Sequence, residues 1–201
     1  MQSVAKPHPY EDPNYWSKRA SAEGVATLGW SEQLNQFYYT IKEQHLQERL
    51  NRVPRSGSVL ECGCGVGRIG QYIKTQRPDL TLVGSDFSRE MLFAAAETNC
   101  YTSLVLADIT RLPFENASFD LVLAMDVLFH VVRPHKKGLA WCELARVARD
   151  ETGIFAYGSG HEITSLVAMM QLVEALPFRF FGRRVQERVA MWLTKRCDGQ
   201  R

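Results

Sequence analysis

Residues 59–70 read Val59-Leu60-Glu61-Cys62-Gly63-Cys64-Gly65-Val66-Gly67-Arg68-Ile69-Gly70, and this stretch decides how the chain folds. Val59 and Leu60 end an apolar β-type run. An acid follows at Glu61, then glycines at every second position: Gly63, Gly65 and Gly67. Beyond them Ile69, Tyr72 and Ile73 are spaced for one helical face. A strand that runs through a glycine turn into a helix brings backbone N–H groups and the helix N-terminus close to a polar ligand. The acid ahead of the glycines selects the ligand.

Two nucleotide-type ligands compete for such a loop. Gly65-Val66-Gly67-Arg68-Ile69-Gly70 is formally a GxGxxG, the dinucleotide fingerprint. In the dinucleotide fold, however, the first glycine closes the strand and the pyrophosphate rests on the helix N-terminus. Here the strand ends at Glu61, and an ionised Glu61 would repel a doubly negative pyrophosphate by ~1 to 4 kcal/mol per charge pair at close range. A ligand with an amino group and a positive centre suits this geometry better. S-adenosylmethionine has an ammonium, a sulfonium and no phosphate.

The next segments extend the pattern. Leu80 to Asp86 reads as a second strand ending in an acid, and Asp86 lies 19 residues past Gly67, where a ribose-binding carboxylate is expected. Phe87 follows, able to lay a ring on an adenine. Ser88 is placed to cap a helix reaching Thr98. Thr102 to Ala107 reads as a third strand, with Asp108 at its end. Ser118 to Met125 is a fourth, apolar enough to be covered on both faces. Acids thus follow three successive strands, and the carboxyl ends of parallel strands form the ligand crevice of an open sheet.

Glu61-x-Gly63-x-Gly65-x-Gly67, Gly84-x-Asp86-x-Ser88, Ala107-Asp108 with Leu112-Pro113-Phe114, and Phe119-Asp120-x-Val122 together resemble the class I S-adenosylmethionine-dependent methyltransferases. The resemblance is closest to the small-molecule branch that includes ubiquinone-type and natural-product enzymes. It spans about Val53 to Gly158 and extends to Glu143-Leu144-x-Arg146-Val147. Glu61 stands where Asp is commoner, which keeps the charge. The resemblance implies that Glu61, Gly63, Gly65, Gly67, Asp86, Phe87, Asp108, Ile109 and Met125 bind S-adenosylmethionine and its product S-adenosylhomocysteine. Asp108 would face the adenine amino group with Ile109 beside the ring, and the Ala124–Met125 backbone would meet the methionine moiety.

Composition agrees with one enzyme domain. The chain has 201 residues and a formal net charge of +2, with no polyanionic partner implied. The start, MQSVAKPHPYED, shows no apolar signal core, and no apolar run reaches membrane-spanning length. Five cysteines are scattered, and Cys62-Gly63-Cys64 lacks zinc-knuckle spacing. The expectation is five reduced thiols, no metal site and a cytoplasmic location.

Asn14 to Val53 reads as helical in at least two pieces, broken near Gly24 and Gly29. Asp108 to Ser118 is turn-like, so one crossover lacks a full helix. Pro134 to Arg149 reads as a helix with Leu139, Cys142 and Ala145 or Arg146 inward, Gly153 to Ser159 as the fifth strand, and His161 to Leu176 as an apolar helix. Phe178–Val185 and Glu187–Lys195 could pair as an edge hairpin. The expected fold is therefore α/β: a Rossmann-like, doubly wound, mostly parallel seven-stranded sheet with an antiparallel C-terminal edge hairpin and a helical N-terminal lid. Residues 1–52 form the lid segment and 53–201 the methyltransferase domain.

The exit of the fourth strand, Ala124-Met125-Asp126-Val127-Leu128-Phe129-His130, should hold the chemistry. Methyl transfer needs alignment and exclusion of water, and an acceptor that carries a proton also needs a base. His130 is the candidate base; Asp126, four residues earlier, could share its helix face and orient it or bind the acceptor. Tyr15 and Trp16 resemble the lid segment of related methyltransferases and could stack on an acceptor or the sulfonium. No Asn/Asp-Pro-Pro-aromatic motif follows the fourth strand, which disfavours base amines and protein glutamine as acceptors. The basic C-terminal residues, from Arg179 to Arg201, read as the solvated face of an edge hairpin, so nucleic acid is not expected. The function implied is methyl transfer to an oxygen or nitrogen of a small molecule. The alternatives are a non-catalytic S-adenosylmethionine-binding scaffold and, at greater distance, an NAD-dependent oxidoreductase.

Overall fold

A computed structural model of the protein describes residues 9–23, 32–158 and 161–163. A short 3-10 turn (Pro9–Glu11) leads into α1 (Pro13–Glu23), and α2 (Glu32–Leu50) follows. Then β1 (Ser58–Cys62), α3 (Arg68–Gln76), β2 (Thr81–Asp86), α4 (Arg89–Ala96) and β3 (Ser103–Leu106) alternate. The link from β3 to β4 (Leu121–Met125) carries no helix, as its turn-like sequence suggests. After it come α5 (Pro134–Val147), β5 (Ile154–Gly158) and β6 (His161–Ile163).

The strand order is β3-β2-β1-β4-β5-β6. The first five are parallel, with Glu61 opposite Gly84 across β1 and β2 and opposite Leu123 across β1 and β4. The order reverses between β1 and β4, and open parallel sheets bind ligands at that reversal, outside the carboxyl ends of the strands.

Both faces of the sheet are covered, so the central strands are apolar throughout. Every residue of β4 is buried. Leu121, Leu123 and Met125 join a core with Val59, Ile69, Ile73, Phe155 and the α2 residues Leu46 and Leu50. Val122 and Ala124 face the other way, against Leu60, Trp141, Leu144 and Ala156. That split is the two-residue period of a strand read on two faces.

Two helix starts follow local chemistry. Ser88 caps α4 by accepting from Met91 N at 3.4 Å, as its residue type predicts. Pro134 opens α5 at its first turn, where the missing N–H costs nothing.

Three expectations are corrected here. The inner face of α5 is Ala140, Trp141, Leu144 and Val147, while Leu139 is 44% exposed. The helical phase is one residue off because Trp141, the largest apolar side chain, sets it. The segment beginning at His161 opens as a strand, paired antiparallel to β5 through Ala156 and Ile163, Tyr157 and Glu162, and Gly158 and His161. The apolar, helix-like periodicity of the sequence that follows obscures this start. Cys62, Cys64 and Cys100 are free and buried, whereas Cys142 is disulfide-bonded. Six strands lie among the described residues rather than seven, and the expected hairpin over 178–195 falls outside them. No helix among the described residues is long and apolar enough to cross a membrane.

Candidate active site

The glycine turn after β1 is built by backbone conformation. Gly63, Gly65 and Gly67 all have positive φ, at 69°, 54° and 84°, a region that side chains disfavour. Gly63 N and Cys64 N both donate to Ser85 O, at 2.7 and 3.0 Å, which ties the turn to β2. A Cβ on Gly63 would strike Val127 Cγ2 at 2.6 Å, whereas one on Gly65 would meet nothing within 4 Å. Gly65 therefore faces open space, the cavity at the carboxyl ends of β1, β2 and β4.

Asp86 braces that turn. One carboxylate oxygen accepts from Gly65 N at 3.0 Å and the other from Ser88 N at 2.9 Å, the latter at the head of α4. Burial pushes its pKa up, opposed by these backbone donors. Glu61, next to last in β1, is nearly enclosed, at 2% exposure, and accepts from the Tyr101 hydroxyl at 2.8 Å. Burial pushes Glu61 up to about 8, against the pull of the Tyr101 hydrogen bond. Phe87, Met91 and Ile109 supply apolar wall to the same cavity. Asp108 is exposed at its edge and accepts from Thr110 N and Thr110 Oγ1, both at 2.8 Å, which closes a local Asx turn.

The exit of β4 departs from expectation. Residues 126–130 form a bend and a turn, not a helix, so Asp126 and His130 share no helical face. Asp126 takes a left-handed conformation with φ 58°, which Asp tolerates better than most residues and which ends strand geometry at once. Its carboxylate pairs with the Lys42 ammonium of α2. His130 N then donates to Val127 O at 3.0 Å, and the imidazole turns toward the N-terminal aromatics. Its ring lies 4.5 Å from Trp16 and 4.9 Å from Tyr10 by centroid, both edge-on. His130 Nδ1 is buried without a hydrogen-bond partner. Burial lowers the His130 pKa from its ordinary value, opposed by the negative charge of Asp126.

Of the two expected lid residues, Trp16 lines the cavity and Tyr15 does not. Tyr15 stands behind, edge-on to Trp16 at 5.1 Å, with its hydroxyl accepting from Arg19 Nη1 at 3.0 Å. Tyr10 takes the place at the wall, held by Trp16 Nε1 donating to Tyr10 O at 3.0 Å. Helix α1 is docked on α4 through Ser17, whose hydroxyl meets Glu90 and Ser88.

Lys42 and Arg68, which line the cavity beside Tyr39, escape sequence reasoning. Lys42 is 1% exposed, and burial lowers its pKa while Asp126 raises it. Arg68 stacks over the Tyr39 ring at 3.6 Å, and Lys42 Nζ lies 4.5 Å from the same ring centroid. The signal was present: Lys42, Leu46 and Leu50 step along one face of α2 at four-residue intervals, so a lysine occupies a core position. Among the described residues no cluster of His, Cys, Asp or Glu is arranged to hold a metal ion.

The cavity fits a ligand with a cationic head and a flat ring. The glycine at 65 leaves a cradle that a Cβ would fill, and two buried carboxyls (Glu61 and Asp86) line the cavity together with apolar side chains.

Comparison with known proteins points the same way. A family model described as a methyltransferase domain matches residues 59–151. A malonyl-[acyl-carrier protein] O-methyltransferase of Herminiimonas arsenicoxydans is 28% identical over 197 residues, covering 90% of this chain and 70% of that protein. A trans-aconitate 2-methyltransferase of Variovorax paradoxus is 30% identical over 99 residues, covering 48% of this chain and 38% of its own. The phosphoethanolamine N-methyltransferase 1 of Arabidopsis thaliana is 27% identical over 118 residues, covering 57% of this chain and 22% of its own. The chain thus spans less than half the length of two of these three relatives. Among solved structures, the magnesium protoporphyrin IX methyltransferase of Synechocystis with bound S-adenosylmethionine superposes with a TM-score of 0.58 at 16% identity, over 84% of this chain and 85% of that one.

Proposed function

We infer, from the premise that this chain belongs to the class I S-adenosylmethionine-dependent methyltransferases, that it transfers a methyl group to an oxygen or nitrogen of a small-molecule acceptor. The observation that carries the reading is that Glu61, Gly65, Asp86 and Ile109 line the same cavity as Asp126 and His130. One end is chemically suited to the methyl donor and the other to an acceptor.

At the donor end, Glu61 receives the cofactor's amino group and Asp86 the ribose hydroxyls. The turn at Gly63, Gly65 and Gly67 admits the backbone closely, Phe87 and Ile109 flank the adenine, and Asp108 accepts from its amino group. Met125 closes the floor beneath the methionine moiety. Bound cofactor supplies a methyl group already activated by its sulfonium.

The acceptor end asks less of the protein. Trp16 and Tyr10 exclude water and orient the acceptor over the cavity, with Tyr15 supporting them from behind. Alignment of this kind can lower the barrier by several kcal/mol. His130 takes the proton that an acceptor hydroxyl or ammonium must lose as the new bond to carbon forms. A base held neutral by burial is ready for that task at pH 7. Asp126 biases the imidazole electrostatically and anchors the wall through Lys42.

Residues 1–52 act as the lid segment and 53–201 as the methyltransferase domain, with Leu46 and Leu50 rooting the first on the second. The cell compartment proposed is the cytoplasm.

The test is methyl transfer itself. Protein supplied with methyl-tritiated donor and fractionated pools of hydroxy, carboxylic and amino metabolites should label an extractable small molecule. Cofactor binding with no label in any pool would favour the non-catalytic scaffold instead.

A further inference from the structure

Tyr101 lies just ahead of β3, and its ring occupies a slot that three glycines leave open. A Cβ on Gly84 would meet Tyr101 Cε1 at 2.8 Å, and one on Gly67 would meet Cε2 at 3.1 Å. A Cβ on Gly70 would collide with the ring Cζ and the hydroxyl. Gly70 lies inside α3 and Gly84 inside β2, conformations that any residue adopts. Space, not backbone dihedral, therefore demands glycine at these two positions.

The slot leads to one place. At its end the Tyr101 hydroxyl donates to Glu61 Oε2 at 2.8 Å. A phenylalanine would fill the same volume, so packing alone does not account for the hydroxyl; a buried phenol is retained where it has a partner. Glycines on α3, on β2 and at the glycine turn thus converge on one hydrogen bond to the Glu61 carboxyl near the end of β1.

We propose that Tyr101 is the positioning residue for Glu61, fixing its carboxyl so that the second oxygen is presented to the amino group of the methyl donor. The proposal rests on reading the cavity as the S-adenosylmethionine site. Held by one neutral donor on the inner oxygen, the carboxyl need not reorganise when the ligand arrives, and a preorganised group binds at lower cost.

Asp86 approaches Glu61 from β2, Tyr39 from α2, Cys62 and Cys64 from its own strand and turn, and Cys100 from beside Tyr101. Lys42 of α2, Arg68 of α3 and Lys136 of α5 are the cations that line the same cavity. The Tyr101 hydrogen bond is the influence that pulls the buried carboxyl down toward ionisation, so its loss shifts Glu61 further toward the protonated form.

The experiment is calorimetric titration with S-adenosylhomocysteine from pH 6 to 9 on the wild type, Tyr101→Phe, Glu61→Gln and the double variant. Tyr101→Phe is expected to weaken binding about tenfold at pH 7, the size of one lost intramolecular hydrogen bond. It should also move the midpoint of the affinity–pH curve upward, since the Tyr101 hydrogen bond lowers the Glu61 pKa. Glu61→Gln should flatten that curve above pH 7, and Tyr101→Phe should then add little in the double variant. A Tyr101→Phe protein with wild-type affinity and an unmoved midpoint overturns the proposal while leaving the cofactor reading intact. So do additive losses in the double variant, which would mark Tyr101 as packing alone. A wild type that does not bind S-adenosylhomocysteine overturns the cofactor reading and this proposal with it.

Discussion

The imidazole of His130 stands edge-on to the indole of Trp16, ring centroids 4.5 Å apart and planes inclined at 67°. The contact joins the N-terminal helix to the turn after β4, across the cavity mouth. It also keeps the imidazole half-buried, which lowers its pKa from the ordinary 6.5. The base is therefore neutral at pH 7, and kcat/KM should fall only on acidification below that value. His130→Asn is expected to lower kcat by about a hundredfold, the usual range for a lost general base, while leaving S-adenosylhomocysteine affinity unchanged. A pH–rate profile of both proteins checks this; full turnover in the variant removes His130 from the chemistry.

Lys42 and Asp126 should be more costly to separate than to replace together. Lys42 is 1% exposed, and Asp126→Ala strips the carboxylate from a buried ammonium. Breaking such a pair costs about 3 to 5 kcal/mol, whereas replacing both partners by groups of similar volume is near neutral. Urea unfolding should show Asp126→Ala far less stable than the Lys42→Met, Asp126→Asn double variant. Equal losses in the two would make the ion pair incidental.

Gly63 and Gly65 share a left-handed backbone but face different surroundings. Alanine at 63 meets Val127 at 2.6 Å, while alanine at 65 points into the cavity. Both carry strain of ~1 to 2 kcal/mol for a side chain in this conformation. Gly63→Ala should lower Tm by the larger margin. Gly65→Ala should be the milder on Tm yet the more damaging to cofactor affinity, because its methyl occupies ligand space. Paired thermal melts and binding titrations decide; the reverse ranking would misplace the ligand.

Glu61 gives stability an unusual pH dependence for a carboxyl. Its native pKa is pushed up to about 8 from an ordinary 4.5. Between those values the native state holds more protons than the unfolded chain, so stability falls as pH rises, at up to ~1.4 kcal/mol per pH unit. Asp86, also raised, acts with the same sign, and His130, lowered, acts oppositely just below 6.5. The difference between wild type and Glu61→Gln in urea from pH 5 to 8 isolates the Glu61 share. It should widen in favour of the variant as pH rises. A constant difference would mean that Glu61 is ionised throughout.

Much of the fold was legible because its signals are local. Glu61, the alternating glycines and Ser88 announce a strand, a turn and a capped helix from a few neighbouring residues, and β4 announces double burial by being apolar throughout. What failed depends on contacts distant in sequence. The Asp126–His130 helix face gives way because Asp126 is drawn to Lys42, 84 residues away. The inner face of α5 follows Trp141, whose pocket is made by other strands. Lys42 itself looks like a solvated charge until α2 is laid on the sheet with Leu46 and Leu50. Tyr101 carries no motif at all: its role appears only when Gly67, Gly70 and Gly84 are brought round one ring.

The most direct test of the account is calorimetric titration of the purified protein with S-adenosylhomocysteine, with NAD as the parallel control. The account predicts saturable binding of the first, silence with the second, and at least a tenfold loss of affinity, ~1.4 kcal/mol, in Asp86→Ala. Binding of NAD with tolerance of Glu61→Ala would contradict it, for a pyrophosphate would then be sharing the turn with the buried acid.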